Sequence, residues 1–344
     1  MSKRTIRIIA GAGAVVLIVV VWFALQAYPL GGEGRLVVVT VKSGDSMSAV
    51  AGEMHAKGVI GSSFAFRVDA ALQGPHTVQA GSYQIAQNSS FAHVRAVLNR
   101  GPNVNVISVD PGLTIHEVAQ TVASDRGSAF AEQFLTDLAS LARSSPYHPD
   151  LSPPALPGQS ANVNSFEGLV GVGQYLLSPH DSAHTLASAM AARFTTQATS
   201  VGFSPTTTVN GLNAYQLVIA ASIVEREGYY PQNMPQVARV IFNRLQRGGP
   251  LQMDSTVKYP LGMDSGAVTS AMLQNPTPYN SYLHTGLTPT PICAVSTTAL
   301  RAVLHAPPGS WLYFVLFDNK GDEKFATTYA QQLKNEQQAA KNLG

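Results

Sequence analysis

The longest uncharged apolar stretch of the chain lies close to its beginning. Residues 8–25 carry no charge over about 18 positions, the length that a helix needs to cross a membrane. Basic residues precede the stretch: Lys3, Arg4 and Arg7. By the positive-inside rule this order predicts a cytoplasmic tail at residues 1–7 and a single-pass transmembrane helix at residues 8–28. The helix would anchor the chain in the plasma (inner) membrane, with the remainder outside the cytoplasm. The alternative is a cleaved signal peptide, but Leu25, two positions before Ala27, does not fit a small-x-small cleavage site.

Beyond residue 35 the hydrophobic pattern alternates between the two-residue period of strands and the longer period of helices. It predicts a small α+β module at residues 36–102, built in the order strand, helix, helix, strand, with one more short helix. The predicted segments are Leu36–Val41, Met47–Lys57, a helix from Ser62 or Ser63 to Leu72, Ala80–Ile85 and Phe91–Leu98. A second α+β subdomain is predicted at residues 103–211. Its segments are Val104–Val109, a helix capped by Thr114 and ending at Val122, Ala129–Leu141, a Pro- and Ser-rich loop at Ser144–Ala161, and Ala183–Ala198.

Residues 212–344 contain the densest apolar helix beyond residue 30, and they predict a third, mixed α+β domain. Asn213 caps this helix, and Gly228 ends it. The other predicted segments are the helices Pro235–Gln246 and Ser296–Leu304, the strand Trp311–Phe317 and a polar helical tail, Thr328–Asn342. The fold class predicted for the whole chain is therefore α+β.

Composition narrows the choice of partner and cofactor. Charged residues make up 12% of the chain and the net charge is +2, so no basic surface for nucleic acid is predicted. The single cysteine, Cys293, excludes a disulfide framework and has no activating base beside it in the sequence. The nine histidines never form a metal-binding motif, and no phosphate or dinucleotide loop occurs. We expect no metal and no cofactor.

Glu225 is the first candidate for chemistry, because it continues the apolar face of the helix on which it lies. Ala221 precedes it by one helical turn, so its carboxyl is expected to lose hydration. That loss raises the pKa of a carboxyl, as a general acid requires near neutral pH. Glu227 lies about 200° further round the helix, so the two carboxylates do not form a facing pair. The alternative is a structural role, in which Glu225 or Glu227 pairs with Arg226 or Arg244 at the helix end.

Two later clusters carry polar groups suited to sugar recognition. In an extended segment, Gln252, Asp254 and Thr256 point to one side; the alternative is a capping turn at residues 254–256. The second cluster contains Tyr279, Asn280 and Tyr282, followed by the Pro-rich run 286–292. Tyrosines offer flat faces and a hydroxyl to sugar rings, although loop packing alone accounts for them equally well.

In this order the clusters resemble the endolytic murein transglycosylase (MltG or YceG-like) family. The resemblance covers most of residues 212–330. It rests on the segments Ala221–Glu227, Val237–Leu245, Leu251–Tyr259, Tyr279–Tyr282, Gly286–Ile292 and Tyr313–Val315. It implies that residues 36–102 are a LysM-like module and that residues 212–344 are the catalytic domain. Glu225 takes the family's catalytic position, and Gln252, Asp254, Tyr279, Asn280 and Tyr282 take positions in the substrate cleft. Thr256 is predicted to bind substrate with them, because it shares the polar side of the segment with Gln252 and Asp254.

The implied reaction breaks the MurNAc–GlcNAc β-1,4 bond of nascent peptidoglycan and leaves a 1,6-anhydro-MurNAc end. The implied partners are glycan strands and, in the same membrane, glycan synthases. Two alternatives remain open at this point: a peptidoglycan hydrolase that pairs Asp254 with Glu225, and a glycan-binding scaffold without activity.

The chain departs from the family pattern at several positions. Ser255 stands where proline is usual, and Thr288-Pro289-Thr290 replaces the usual PPG. Of an EGxxxPDTY motif only Glu167, Gly168 and Tyr175 remain, and Gln331-Gln332 replaces a Glu-His pair.

Overall fold

The computed structural model describes residues 3–73, 78–156, 164–228 and 230–343, and for residues 3–12 it describes the backbone alone. It is a mixed α+β structure, as the sequence predicts. Its α-helices are Lys3–Ala27, Met47–Ala56, Ser63–Leu72, Phe91–Arg100, Ile115–Arg126, Ser128–Ala142, Ala183–Ser200, Ala214–Glu227, Met234–Gln246, Asp254–Lys258, Ser270–Leu273, Thr297–Leu304 and Tyr329–Leu343, with a 3-10 turn at Tyr259–Leu261.

The strands of the described residues form two-stranded sheets. The paired strands are Leu36–Val41 with Gly81–Ala86, Asn105–Val109 with Gly173–Leu177, and Tyr313–Leu316 with Glu323–Ala326. The first and third pairs are antiparallel. The strand at Gly173–Leu177 and the strand at Glu323–Ala326 were not predicted.

The first helix runs from Lys3 to Ala27, over the region of the predicted membrane span. The first five residues of that span have side chains outside the described part of the structure. Within the described part, none of the helices combines the length and the apolar character that a membrane crossing requires. Apolar side chains from Val15 to Val21 are exposed to between 49% and 67%.

The chain divides into two compact units, residues 1–106 with 176–180 and residues 107–175 with 181–344. In the first unit the predicted order of strand, helix, helix, strand is confirmed. Its core includes Val39, Met54, Phe66, Tyr83 and Phe91, all at most 1% exposed. The LysM-like character of this unit and the three-domain division stay predictions.

The second unit is built around the helix Ala214–Glu227, called here the glutamate helix. Every residue of this helix from Ala214 to Val224 except Gln216 is buried. It packs against the helices Met234–Gln246 and Thr297–Leu304. A helix enclosed in this way gives a fixed position to the side chains of its last turn.

Candidate active site

Local sequence fixes both ends of the glutamate helix. The Asn213 side chain accepts from Gln216 N at 2.9 Å, and the Gln216 side chain accepts from Asn213 N at 3.0 Å, which completes a capping box. Gly228 N donates to Val224 O at 2.8 Å and ends the helix. Glu225 therefore lies in the last turn, where it is half-buried.

Glu225 contacts the start of the next helix in space. Ser296, the N-cap of Thr297–Leu304, donates its backbone N–H to Glu225 Oε2 at 2.8 Å. Burial raises the pKa of the Glu225 carboxyl above its ordinary value, and the hydrogen bonds from Ser296 partly oppose that shift. The loss of hydration expected from the apolar helix face is confirmed.

Glu227 faces a different element. Its Oε1 accepts from Ser255 N at 2.9 Å, at the beginning of the helix Asp254–Lys258. Burial also raises the pKa of Glu227. The prediction that the two glutamates do not form a facing pair is confirmed, because each is bonded to a separate segment.

The neighbouring arginines have other partners. Arg226 Nη1 lies 2.9 Å from Asp264 Oδ1 and donates to Gly112 O at 2.9 Å. Arg244 donates to the carbonyls of Leu312 and Leu251. Among the residues that the structure describes, no salt bridge therefore joins Arg226 or Arg244 to Glu225 or Glu227.

The extended arrangement considered for residues 252–256 is wrong. Gln252 has a left-handed φ of 51°, and a helix begins at Asp254. An acidic residue is favourable in the first turn of a helix, and Glu227 accepts from the free N–H of Ser255 there. Gln252 and Asp254 are exposed, whereas Thr256 is fully buried.

Half of the six predicted substrate-binding residues are buried. Thr256 bonds to Met253 O at 2.6 Å and to Ser281 Oγ at 2.7 Å. Tyr279 bonds through its hydroxyl to Thr290 Oγ1 at 2.9 Å. Asn280 donates to the carbonyl of Leu273, at the end of the preceding helix, at 2.9 Å and to that of Asn275 at 2.8 Å. These three side chains hold the loops together.

The other three lie nearer to the surface. Tyr282 is half-buried and donates its hydroxyl to Asp254 Oδ1 at 2.7 Å, which joins the two predicted clusters. Gln252 N donates to Ser281 O at 2.9 Å, and the Gln252 side chain is exposed. Contact of Glu225, Gln252, Asp254 and Tyr282 with substrate stays a prediction.

A further carboxyl, Glu167, was not among the predicted site residues. It is 2% exposed and accepts from Ile115 N at 3.1 Å and from Tyr259 OH at 3.0 Å. Burial raises the pKa of Glu167 to about 8. The sequence signal for it was the Glu167-Gly168 remnant of the family motif.

No group of three or more His, Cys, Asp or Glu side chains is arranged to hold a metal ion among the residues described.

The pattern that defines the YceG-like family matches residues 39–338 of the chain. The chain belongs to the YceG-like family.

Relatives of this YceG-like chain include the endolytic murein transglycosylase of Bacillus subtilis (strain 168). It is 25% identical over 311 residues, which cover 86% of this chain and 82% of the relative. The endolytic murein transglycosylase of Streptococcus pneumoniae serotype 2 (strain D39 / NCTC 7466) is 24% identical over 324 residues, covering 88% of this chain and 58% of that protein. The crystal structure of a YceG-like protein from Listeria monocytogenes has the same fold, with a TM-score of 0.57 at 20% identity over 87% of this chain and 98% of the other.

The N–H of Ser255 links two helices. Because it donates to Glu227 Oε1, the last turn of the glutamate helix is joined to the beginning of the helix Asp254–Lys258. A proline at position 255, which the resemblance led us to expect, has no N–H and could not donate this bond.

Proposed function

We propose that this protein is an endolytic murein transglycosylase that cleaves the MurNAc–GlcNAc β-1,4 bond of peptidoglycan without water. The observation that carries the proposal is the separation of the Glu225 carboxyl from that of Glu227. Glu225 is one half-buried carboxyl of raised pKa, bonded through a single oxygen, while Glu227 is bonded to another segment. The names of the related proteins support the same conclusion.

One carboxyl is enough for this reaction. Protonated Glu225 donates its proton to the glycosidic oxygen as the bond to C1 of MurNAc breaks through an oxocarbenium-like state. The resulting carboxylate then takes the proton of the muramoyl C6 hydroxyl, whose oxygen attacks C1. The products are a free GlcNAc hydroxyl and a 1,6-anhydro end, and Glu225 regains its proton.

Hydrolysis of the same bond is the second candidate. It requires a second carboxylate that activates water. Asp254 is the residue available for it, but this carboxylate is exposed and is bonded to Tyr282 OH at 2.7 Å. Product masses separate the two reactions, since an anhydro end lacks one water relative to a reducing end.

The setting of the reaction is part of the proposal. The uncharged run at residues 8–25 and the exposed apolar side chains from Val15 to Val21 support a membrane anchor with the catalytic part outside the cytoplasm. An enzyme anchored in this membrane acts on nascent glycan strands beside glycan synthases and terminates the elongation of these strands. Membrane fractionation of the full chain and of a chain lacking residues 1–28 tests this setting; recovery of both in the soluble fraction contradicts it.

The test of the activity uses Glu225→Gln and, as a matched control, Glu227→Gln. Purified uncrosslinked glycan strands are incubated with each protein, and the products are measured by mass spectrometry. We expect Glu225→Gln to lower the release of anhydro-ended fragments by at least about 10³-fold, because the amide has no acidic proton to transfer to the glycosidic oxygen. Glu227→Gln keeps an acceptor for Ser255 N, so its rate is expected to stay within about tenfold of the original. Unchanged release by Glu225→Gln contradicts the proposal, and reducing ends in place of anhydro ends establish hydrolysis.

A further inference from the structure

The segment 292–296 runs alongside the glutamate helix and contacts it at two successive turns. At the first contact, Ile292 N donates to Ser222 Oγ at 2.9 Å, and Cys293 Sγ lies 3.4 Å from Ser222 O. At the second, one turn further along, Ser296 N donates to Glu225 Oε2 at 2.8 Å. Ser222 is fully buried, so the first contact fixes the segment that delivers the second.

Ser296 is itself held firmly by the helix that it caps. Its Oγ accepts from Ala299 N at 3.1 Å, as an N-cap side chain does. The helix behind it, Thr297–Leu304, is fixed by four buried apolar residues: Ala299, Leu300, Ala302 and Val303. The N–H of an N-cap residue is not used inside its helix, so this N–H is free to serve Glu225.

The two oxygens of the Glu225 carboxyl are therefore not equivalent. Oε2 accepts from Ser296, whereas no donor to Oε1 is found among the residues that the structure describes. The half-buried side chain keeps part of its surface open. A carboxyl held through one oxygen presents the other in a fixed direction.

We infer that Ser296 is a positioning residue that holds Oε2 of Glu225, so that Oε1 is the oxygen that exchanges a proton with the glycan. The inference rests on the proposed transglycosylase reaction. Ser296 has a second consequence for the same carboxyl. After Glu225 gives up its proton, the N–H of Ser296 stabilises the carboxylate until it takes the proton of the C6 hydroxyl.

The effect of Ser296 on the pKa of Glu225 can be separated from the effects of neighbouring charged groups. The pKa of Glu225 is raised by burial and lowered by hydrogen bonding from Ser296, and no charged group contributes to the shift. The neighbouring Cys293 is fully buried, which raises its pKa well above the ordinary value and keeps the thiol neutral. Arg226, next in the chain, is paired with Asp264. Removal of the Ser296 N–H therefore acts on the titration of Glu225 directly.

The experiment measures the rate of anhydro-end release against pH for Ser296→Ala, Ser296→Thr and Ser296→Pro. The rate falls on the alkaline side as Glu225 loses its proton. Ser296→Ala removes the hydroxyl and the cap but keeps the N–H that donates to Glu225, so we expect its alkaline limb to stay in place. Ser296→Thr keeps the hydroxyl, the cap and the N–H, so it is expected to match the unchanged protein in both the rate and the limb. Ser296→Pro removes the N–H at a φ of −77°, which proline accepts. It is expected to lower the rate by about tenfold, the value of a hydrogen bond to a charged group, and to move the alkaline limb to higher pH.

Ser182 provides the matched control in the same unit. It caps the helix Ala183–Ser200, accepts from Thr185 N at 3.1 Å and has a φ of −83°. Ser182→Ala and Ser182→Pro therefore remove a cap of the same kind far along the chain from Glu225, and neither is expected to move the alkaline limb.

The outcomes separate the inference from the proposed function. If the unchanged protein releases anhydro ends and Glu225→Gln does not, the proposed function holds. If Ser296→Pro then loses activity without any shift of the limb, or behaves like Ser182→Pro, Ser296 has only a structural role and the inference is wrong. If the unchanged protein releases no anhydro ends, the proposed function itself fails.

Discussion

Two glutamates in the same unit, Glu225 and Glu167, both have a raised pKa, but they differ in exposure and in the number of oxygens that are bonded. Burial raises the pKa of both carboxyls. Glu167 is 2% exposed, and both of its oxygens accept from protein donors, Ile115 N and Tyr259 OH. Glu225 is half-buried and is bonded through one oxygen, to Ser296 N.

The difference shows that a raised pKa does not identify a general acid by itself. A carboxyl must also have an oxygen that a substrate can reach. Glu167 joins the beginning of the helix Ile115–Arg126 to Tyr259, whose ring lies 5.0 Å from that of Tyr279. It therefore supports the loops of the unit, whereas Glu225 is the carboxyl that the proposed function assigns to chemistry.

The largest effect expected from this comparison is on stability, at Glu167. Glu167→Ala leaves Ile115 N and Tyr259 OH without their acceptor inside the protein, so we expect a loss of about 3 kcal/mol in the free energy of unfolding. Denaturant unfolding measures the loss, and amide hydrogen exchange at Ile115 locates it. Glu167→Gln, the control, keeps an acceptor and is expected to cost about 1 kcal/mol.

A Glu167→Ala protein that keeps its stability but loses activity would reverse the assignment of the two glutamates. In that case Glu167 would take part in the reaction, and its complete burial would have to open when substrate binds.

A second effect on stability follows from the titration of Glu167. Its pKa is about 8 in the folded protein, against an ordinary value of 4.5. Between these two pH values the unfolded chain releases the proton that the folded chain retains. The folded state therefore loses stability as pH rises from about 4.5 to about 8, and the loss levels off above that range.

Glu167→Gln has no proton to release, so its stability relative to the unchanged protein should improve over the same pH range. Urea unfolding of both proteins at pH 5, 6.5 and 8 measures the difference. A constant difference across these pH values would mean that the folded-state pKa of Glu167 is close to its ordinary value.

Much of the secondary structure could be predicted from local sequence, because helix boundaries depend on neighbouring residues. Asn213 and Thr114 are predicted as caps from their position before an apolar helical pattern, and each accepts from the backbone of its helix. The partial burial of the Glu225 carboxyl was predictable for a similar reason, because the residues one turn away show that it lies on the apolar face of its helix.

The loops of the site could not be predicted in the same way, because contacts with distant residues decide them. The helix at Asp254 begins where Glu227 accepts from Ser255 N, an interaction across 28 positions of the chain. Thr256 is buried and bonds to Ser281, which lies 25 positions further along the chain. A polar residue type in a loop predicts chemistry only when the side chain reaches the surface.

Two tyrosines give the smallest test of the comparison between buried support and accessible chemistry. Tyr279→Phe removes the hydroxyl bonded at 2.9 Å to the buried Thr290 Oγ1. We expect a loss of about 1 kcal/mol in the free energy of unfolding and an unchanged cleavage rate, because no substrate reaches this hydroxyl. Tyr282→Phe, the matched variant, frees the exposed Asp254 from its bond at 2.7 Å and is expected to lower the rate by a few fold with little effect on stability. Equal rate losses in both variants, with no change in unfolding, would place Tyr279 among the residues that bind the glycan.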